Sequence, residues 1–130
     1  MTNNYFSFIE MIRTDTGIEN IPNWEQISNL QALIKHVLNP VRELHGKPIY
    51  VTSGYRSPAV NKAVGGVKNS QHLKGQSADI TTLSVEENRK VFELIKKHTF
   101  FDQLIWEKGG QWIHVSFAYG KNRLQVIDGD

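Results

Sequence analysis

A chain of 130 residues with 39% hydrophobic and 22% charged residues can build one real core but not two, so a single domain over residues 1–130 is expected. Its 15 basic and 13 acidic residues leave a formal net charge of +2. They form no run, which argues against nucleic acid or an acidic membrane surface as a partner. Cysteine is absent, which excludes a disulfide framework and any thiolate metal site, so metal ligands must come from His, Asp and Glu.

Met1-Thr2-Asn3-Asn4 is not a positive segment followed by an apolar one, so synthesis in the cytoplasm without a signal peptide is expected. No apolar run approaches the roughly 20 residues that a spanning helix needs, and no repeat is visible. Residues 5–12 predict a short helix, with Gly17 as a stop. Asn23 is placed to cap a second helix, in which Ile27, Leu30, Leu33, Ile34, Val37 and Leu38 recur at three- and four-residue steps. Pro40 is expected to break or kink it, with Val41 and Leu44 in a last turn before Gly46.

Pro48 to Thr52 is a β-type run, and Ser57-Pro58 opens a short helix over 59–64 that Gly65-Gly66 stops. A loop over 67–71 leads into Ser77 to Thr81, a strand. Ser84-Val85-Glu86-Glu87 predicts a capping box and a helix to about Lys97, with Val91, Leu94 and Ile95 inward. Residues 101–107 and 112–118 predict strands joined through Lys108-Gly109-Gly110-Gln111, and residues 123–127 an edge strand. This order predicts an α+β domain with a small, mainly antiparallel sheet, monomeric, with helices packed on one side.

Two stretches carry chemistry. Ser70-Gln71-His72-Leu73-Lys74-Gly75-Gln76-Ser77-Ala78-Asp79 places a histidine and an aspartate seven residues apart, and Trp112-Ile113-His114-Val115-Ser116 adds a histidine in a strand. Two imidazoles and a carboxylate suit a catalytic zinc, which takes three protein ligands and keeps a position for water. Taken singly, His114 could be a core histidine and Asp79 a turn or cap residue. Alternation turns Ile113 and Val115 into the core and leaves His114 on the face of Trp112 and Ser116. Glu107 ends the strand before the hairpin, near His114; a carboxylate beside a zinc-bound water can act as general base. Spacing alone leaves it equally a solvated strand end. Arg56 follows a β-run and a glycine, where it could bind a carboxylate bidentately or pack at the surface on Tyr55. His36, His45 and His98 lie on helices, the last two near C-termini that favour them, and none is assigned to a metal. The aromatic residues are expected in the core.

Ser53-Gly54-Tyr55-Arg56-Ser57-Pro58, Asn61 to Val67, Ser70-x-His72-x-x-Gly75-x-Ser77-Ala78-Asp79 and Trp112 to Ser116, in that order, resemble the M15 family of zinc peptidases. That family includes D-Ala-D-Ala carboxypeptidases and L-Ala-D-Glu phage endolysins, and shares its fold with the hedgehog signalling domain. The resemblance runs from about Tyr5 to Phe117. It implies one zinc ion on His72, Asp79 and His114, substrate contact by Arg56, and Ser70 and Gln71 near the site. Several bacterial members carry a catalytic carboxylate three residues before the last histidine, where this chain has Gln111. The hedgehog-like subgroup has a glutamate ending a Phe-Asp-x-x-x-x-Glu run, which Phe101 to Glu107 matches, so Glu107 is the expected base. The resemblance implies a zinc metallopeptidase acting on peptidoglycan stem peptides, as carboxypeptidase or endopeptidase. It is compatible with a phage- or prophage-derived protein that meets the cell wall after release. The rival expectation is a zinc-containing module that binds wall peptide or a protein without cleaving it.

Overall fold

The computed structural model describes residues 4–128. Helix α1 (Phe8–Ile12) starts later than the sequence predicts. Ser7 caps it by accepting the Glu10 N–H at 3.1 Å, while the Tyr5 N–H is already committed to Asn39 Oδ1. The helix ends at Arg13, and Gly17 lies beyond it. Helix α2 (Trp24–Leu33) begins at Asn23 as predicted, with a full capping box between Asn23 and Gln26.

Pro40 does not break the helical path. The chain passes through one wide turn, Ile34–Leu38, in which the Asn39 N–H reaches back five residues to Ile34, and continues as α3 (Asn39–His45). A proline cannot donate and its ring crowds the preceding turn; the wide turn just before it is where the regular ladder is relaxed. Gly46 closes α3 with its N–H on the Arg42 carbonyl. Val41 is buried, but Leu44 points to solvent.

The remaining elements are β1 (Tyr50–Ser53), α4 (Pro58–Ala63), a 3-10 turn over Gln71–Lys74, β2 (Ser77–Thr81), α5 (Val85–His98), β3 (Gln103–Glu107), β4 (Trp112–Ser116) and β5 (Gln125–Ile127). They form one five-stranded sheet in the order β1-β2-β4-β3-β5. The first four strands pair antiparallel. The predicted edge strand forms two residues shorter at its start and pairs with β3 parallel. The tail leaves β4 beside the start of β3 and enters next to Gln103, so it runs with β3.

Strand alternation divides the sheet into two faces. Val51, Ala78, Ile80, Leu104, Ile113 and Val115 turn one way, into a core shared with Leu30, Leu33, Val37, Val41, Val91, Phe92 and Ile95 of the helices. Full burial of each Val, Leu, Ile or Phe among them stabilises by about 1.5–3 kcal/mol. Asp79, Gln103, Ile105, Glu107, Trp112 and His114 turn the other way. Not every aromatic side chain enters the core: Trp24, Phe100 and Tyr119 are exposed. Among the described residues no helix is long and apolar enough to cross a membrane.

Two buried polar residues lock the elements that carry the second face. Asn88 on α5 accepts the Thr82 N–H and donates to the Gly110 carbonyl and Thr81 Oγ1, tying α5 to the β3–β4 hairpin. Half of the expected capping box forms there. Ser84 accepts the Glu87 N–H, but the Glu87 carboxylate turns to Lys90, His45 and Lys47. Asp102 receives Arg123 through Nε, Nη2 and the main-chain N–H, and Gln71 Nε2 at 2.9 Å. The Arg123 hydrogen bond, opposed by burial, holds its carboxyl below the usual range.

Asn88→Ala leaves several buried groups without partners and is expected to cost about 2–4 kcal/mol in urea unfolding; a loss below about 1 kcal/mol would contradict the locking role. Asp102→Asn is expected to destabilise by about 2 kcal/mol at neutral pH. Because the folded carboxyl titrates below its unfolded value, its contribution is complete above pH ~4 and fades as pH falls through the folded pKa. The gap between wild type and variant should therefore close in acid, and a gap independent of pH would refute the assignment.

Candidate metal centre

His72 sits on the 3-10 turn, whose start is capped by Ser70: the Ser70 hydroxyl accepts the His72 N–H at 3.1 Å. The turn ends at Gly75, with φ +72° and a Cα so near the Gln26 carbonyl that a Cβ would lie 2.5 Å from it. The His72 carbonyl accepts the Arg56 N–H, and its Nδ1 stands 2.7 Å from the Gly54 carbonyl. A carbonyl only accepts, so Nδ1 carries the proton and the ring presents Nε2 to the sheet.

Nε2 of His72 lies 3.4 Å from Asp79 Oδ1, and His114 Nδ1 lies 3.0 Å from the same oxygen. Asp79 on β2 and His114 on β4 are register partners and share a face. The three ligand atoms lie within 4.8 Å of one another, the one such His, Asp and Glu group among the described residues. Corners of a tetrahedron with zinc's ~2.0–2.1 Å bonds are roughly 3.4 Å apart, so the spacing and the donor set fit such an ion.

Arg56 stands behind this group. Its Nε donates to Ser53 Oγ, Nη1 to Asn61 Oδ1 and Nη2 to Asp79 Oδ2 at 3.2 Å. Thus Oδ2 of Asp79 is held from behind and Oδ1 faces the two imidazoles. Burial alone pushes the Asp79 carboxyl up, but the His114 and His72 contacts outweigh it and hold the group far below the usual carboxylate range. Two N–H groups of Arg56 keep no partner among the described residues.

The group opens into a cavity of about 820 Å³ floored by the polar face of the sheet. Glu107 lines it without joining the ligand group. Arg56, Ser70 and Gln71 line it too. Gln111 does not: its side chain is exposed, and its carbonyl accepts from Thr81 and Asn88. The other histidines are elsewhere, His36 stacked on Phe117, His45 paired with Glu87, and His98 exposed at the end of α5.

Three site-building residues carried no role in the sequence. Asn61 lay inside a resembling block, but only the fold shows it clamping Arg56 and the Val67 carbonyl. Asp102 was visible in the Phe-Asp run. Arg123 had no signal beyond a strand start, yet lines the cavity.

Gly54→Ala tests the close packing beneath His72. A Cβ there would stand 2.2 Å from the Met11 carbonyl oxygen, and yielding would disturb the bond from Tyr55 N–H to that oxygen. The expected loss is about 1–3 kcal/mol; wild-type stability in denaturant would disprove the contact.

A family model described as Peptidase M15 matches residues 4–116, and no curated protein matches the chain. The matched stretch contains His72, Asp79, His114, Arg56 and Glu107, and it spans most of the chain. The protein belongs to the peptidase M15 family.

Proposed function

We propose that the protein is a zinc-dependent peptidase that hydrolyses peptide bonds in peptidoglycan stem peptides. Family membership supports the reaction class. The observation that carries the reading is one cavity lined by a His-His-Asp group and by a carboxylate, Glu107, that stays outside it. His72 Nε2, His114 Nδ1 and Asp79 Oδ1 would hold the ion. Zinc, when bound, acts as a Lewis acid and lowers the pKa of water to about 7.

The chain's own residues do the rest. Glu107 takes the proton of the attacking water and returns it to the leaving amine. Arg56 fixes Asp79, and through its two remaining N–H groups it can also meet a substrate carboxylate. The cavity continues past His114 in both directions along β3, toward Gln103 at one end and Lys108 at the other. That openness favours a bond inside a peptide over removal of a terminal residue.

Purified protein is expected to bind about one zinc per chain, and His114→Ala to lose it; no zinc in the wild type after addition of the metal would overturn the metal reading. Glu107→Gln should keep the zinc and lose 10²–10⁴-fold in turnover of muropeptides, the usual worth of a general base. Unchanged hydrolysis would remove Glu107 from the mechanism. Arg56→Met should weaken zinc binding about 10–100-fold, as loss of a ligand's supporting partner does.

A further inference from the structure

The tail after β4 brings a second guanidinium to the same cavity, from outside the family-matched residues 4–116. Arg123 is held there as a fork. Nε and Nη2 bond the two oxygens of Asp102 at 2.8 and 3.0 Å, and the Arg123 main-chain N–H bonds Oδ1 at 2.9 Å. Asp102 itself is buried and does not line the cavity. The carboxylate that orients the guanidinium is therefore behind it, where it does not face an incoming anion.

A guanidinium has five N–H donors. Two are spent on Asp102. Nη1 has no partner among the described residues, and the side chain is 57% exposed. This is a preorganised cation with an open edge and two of its five N–H groups committed, whereas Arg56 commits three of its five, to Ser53, Asn61 and Asp79.

Position says what the edge can reach. His114 pairs with Ile105, and Gln103 lies two residues away on the same face, roughly 7 Å along the strand. Arg123 is bonded at that end to Asp102, the residue before Gln103, and lines the same cavity, while Glu107 stands on the other side of Ile105. An extended peptide lying over His114 would cover that separation in two or three residues.

We infer that Arg123 is a specificity-determining residue, whose free edge binds a carboxylate carried by the peptide two or three residues from the scissile bond. The inference rests on the peptidase reading for its substrate and adds to it a preference for acidic peptides set by the tail.

Binding decides it independently of hydrolysis. Calorimetry on the zinc-loaded Glu107→Gln protein would use the peptide L-Ala-γ-D-Glu-L-Lys-D-Ala-D-Ala and two partners, one amidated at the glutamyl α-carboxylate and one at the C-terminus. One of the amides is expected to bind about 10–100-fold more weakly than the free acid, the usual worth of a charge-assisted pair. Adding Arg123→Gln should weaken the acid to the level of that amide and abolish the discrimination, and Arg123→Lys should restore part of it. Equal discrimination with and without Arg123, or no binding of the acid peptide, would overturn the inference. Failure of the wild type to release amine from these peptides would instead count against the peptidase reading, because the affinities are measured without turnover.

Discussion

The centre depends on one constraint, the facing of Asp79 and His114 across two adjacent antiparallel strands. Their register puts both side chains on the same face and brings His114 Nδ1 to 3.0 Å from Asp79 Oδ1. Slipping either strand by one residue would send one of them into the core and an isoleucine or valine onto the polar face. The register is held by burial: Ala78, Ile80, Ile113 and Val115 fill the opposite side at 0–1% exposure. The same alternation that builds the core therefore builds the site.

A carboxylate in that position is costly to bury and must be matched on both oxygens. Arg56 meets Oδ2 and the imidazoles meet Oδ1. Arg56 in turn is clamped by Ser53 and Asn61, and His72 by the Gly54 carbonyl. The end of β1 with the glycine after it, α4 and the 3-10 turn thus meet behind the candidate ligand group. Each restrains a side chain that strand pairing alone would leave free, which is how outer partners orient ligands.

The tail couples to this arrangement through Asp102. That buried carboxylate receives Arg123 from one side and Gln71, the residue before His72, from the other. The segment leading into β5 is accordingly more than a connection to an edge strand. It is the far end of a network that reaches the turn holding His72, and it places a cation on the cavity that Glu107 lines.

Much of this was legible in the chain itself. The residue types that meet at the candidate centre followed from the absence of cysteine and from two short motifs, and strand alternation put His114 opposite the core. The caps at Asn23, Ser57 and Ser84 are local chemistry and form as spacing predicts. Where local signals and tertiary packing compete, only the fold decided. Pro40 sits inside a continuous helical path because a wide turn precedes it, and the Glu87 side chain leaves its capping box for partners on α3 and beyond. Tyr5 stays out of α1 because Asn39 holds its N–H. The roles of Asn61, Asp102 and Arg123 rest on contacts 5, 31 and 21 residues apart. Periodicity reports a residue's neighbours along one element; it carries no information on which distant carboxylate a guanidinium will meet, and that meeting is what the tertiary structure determines.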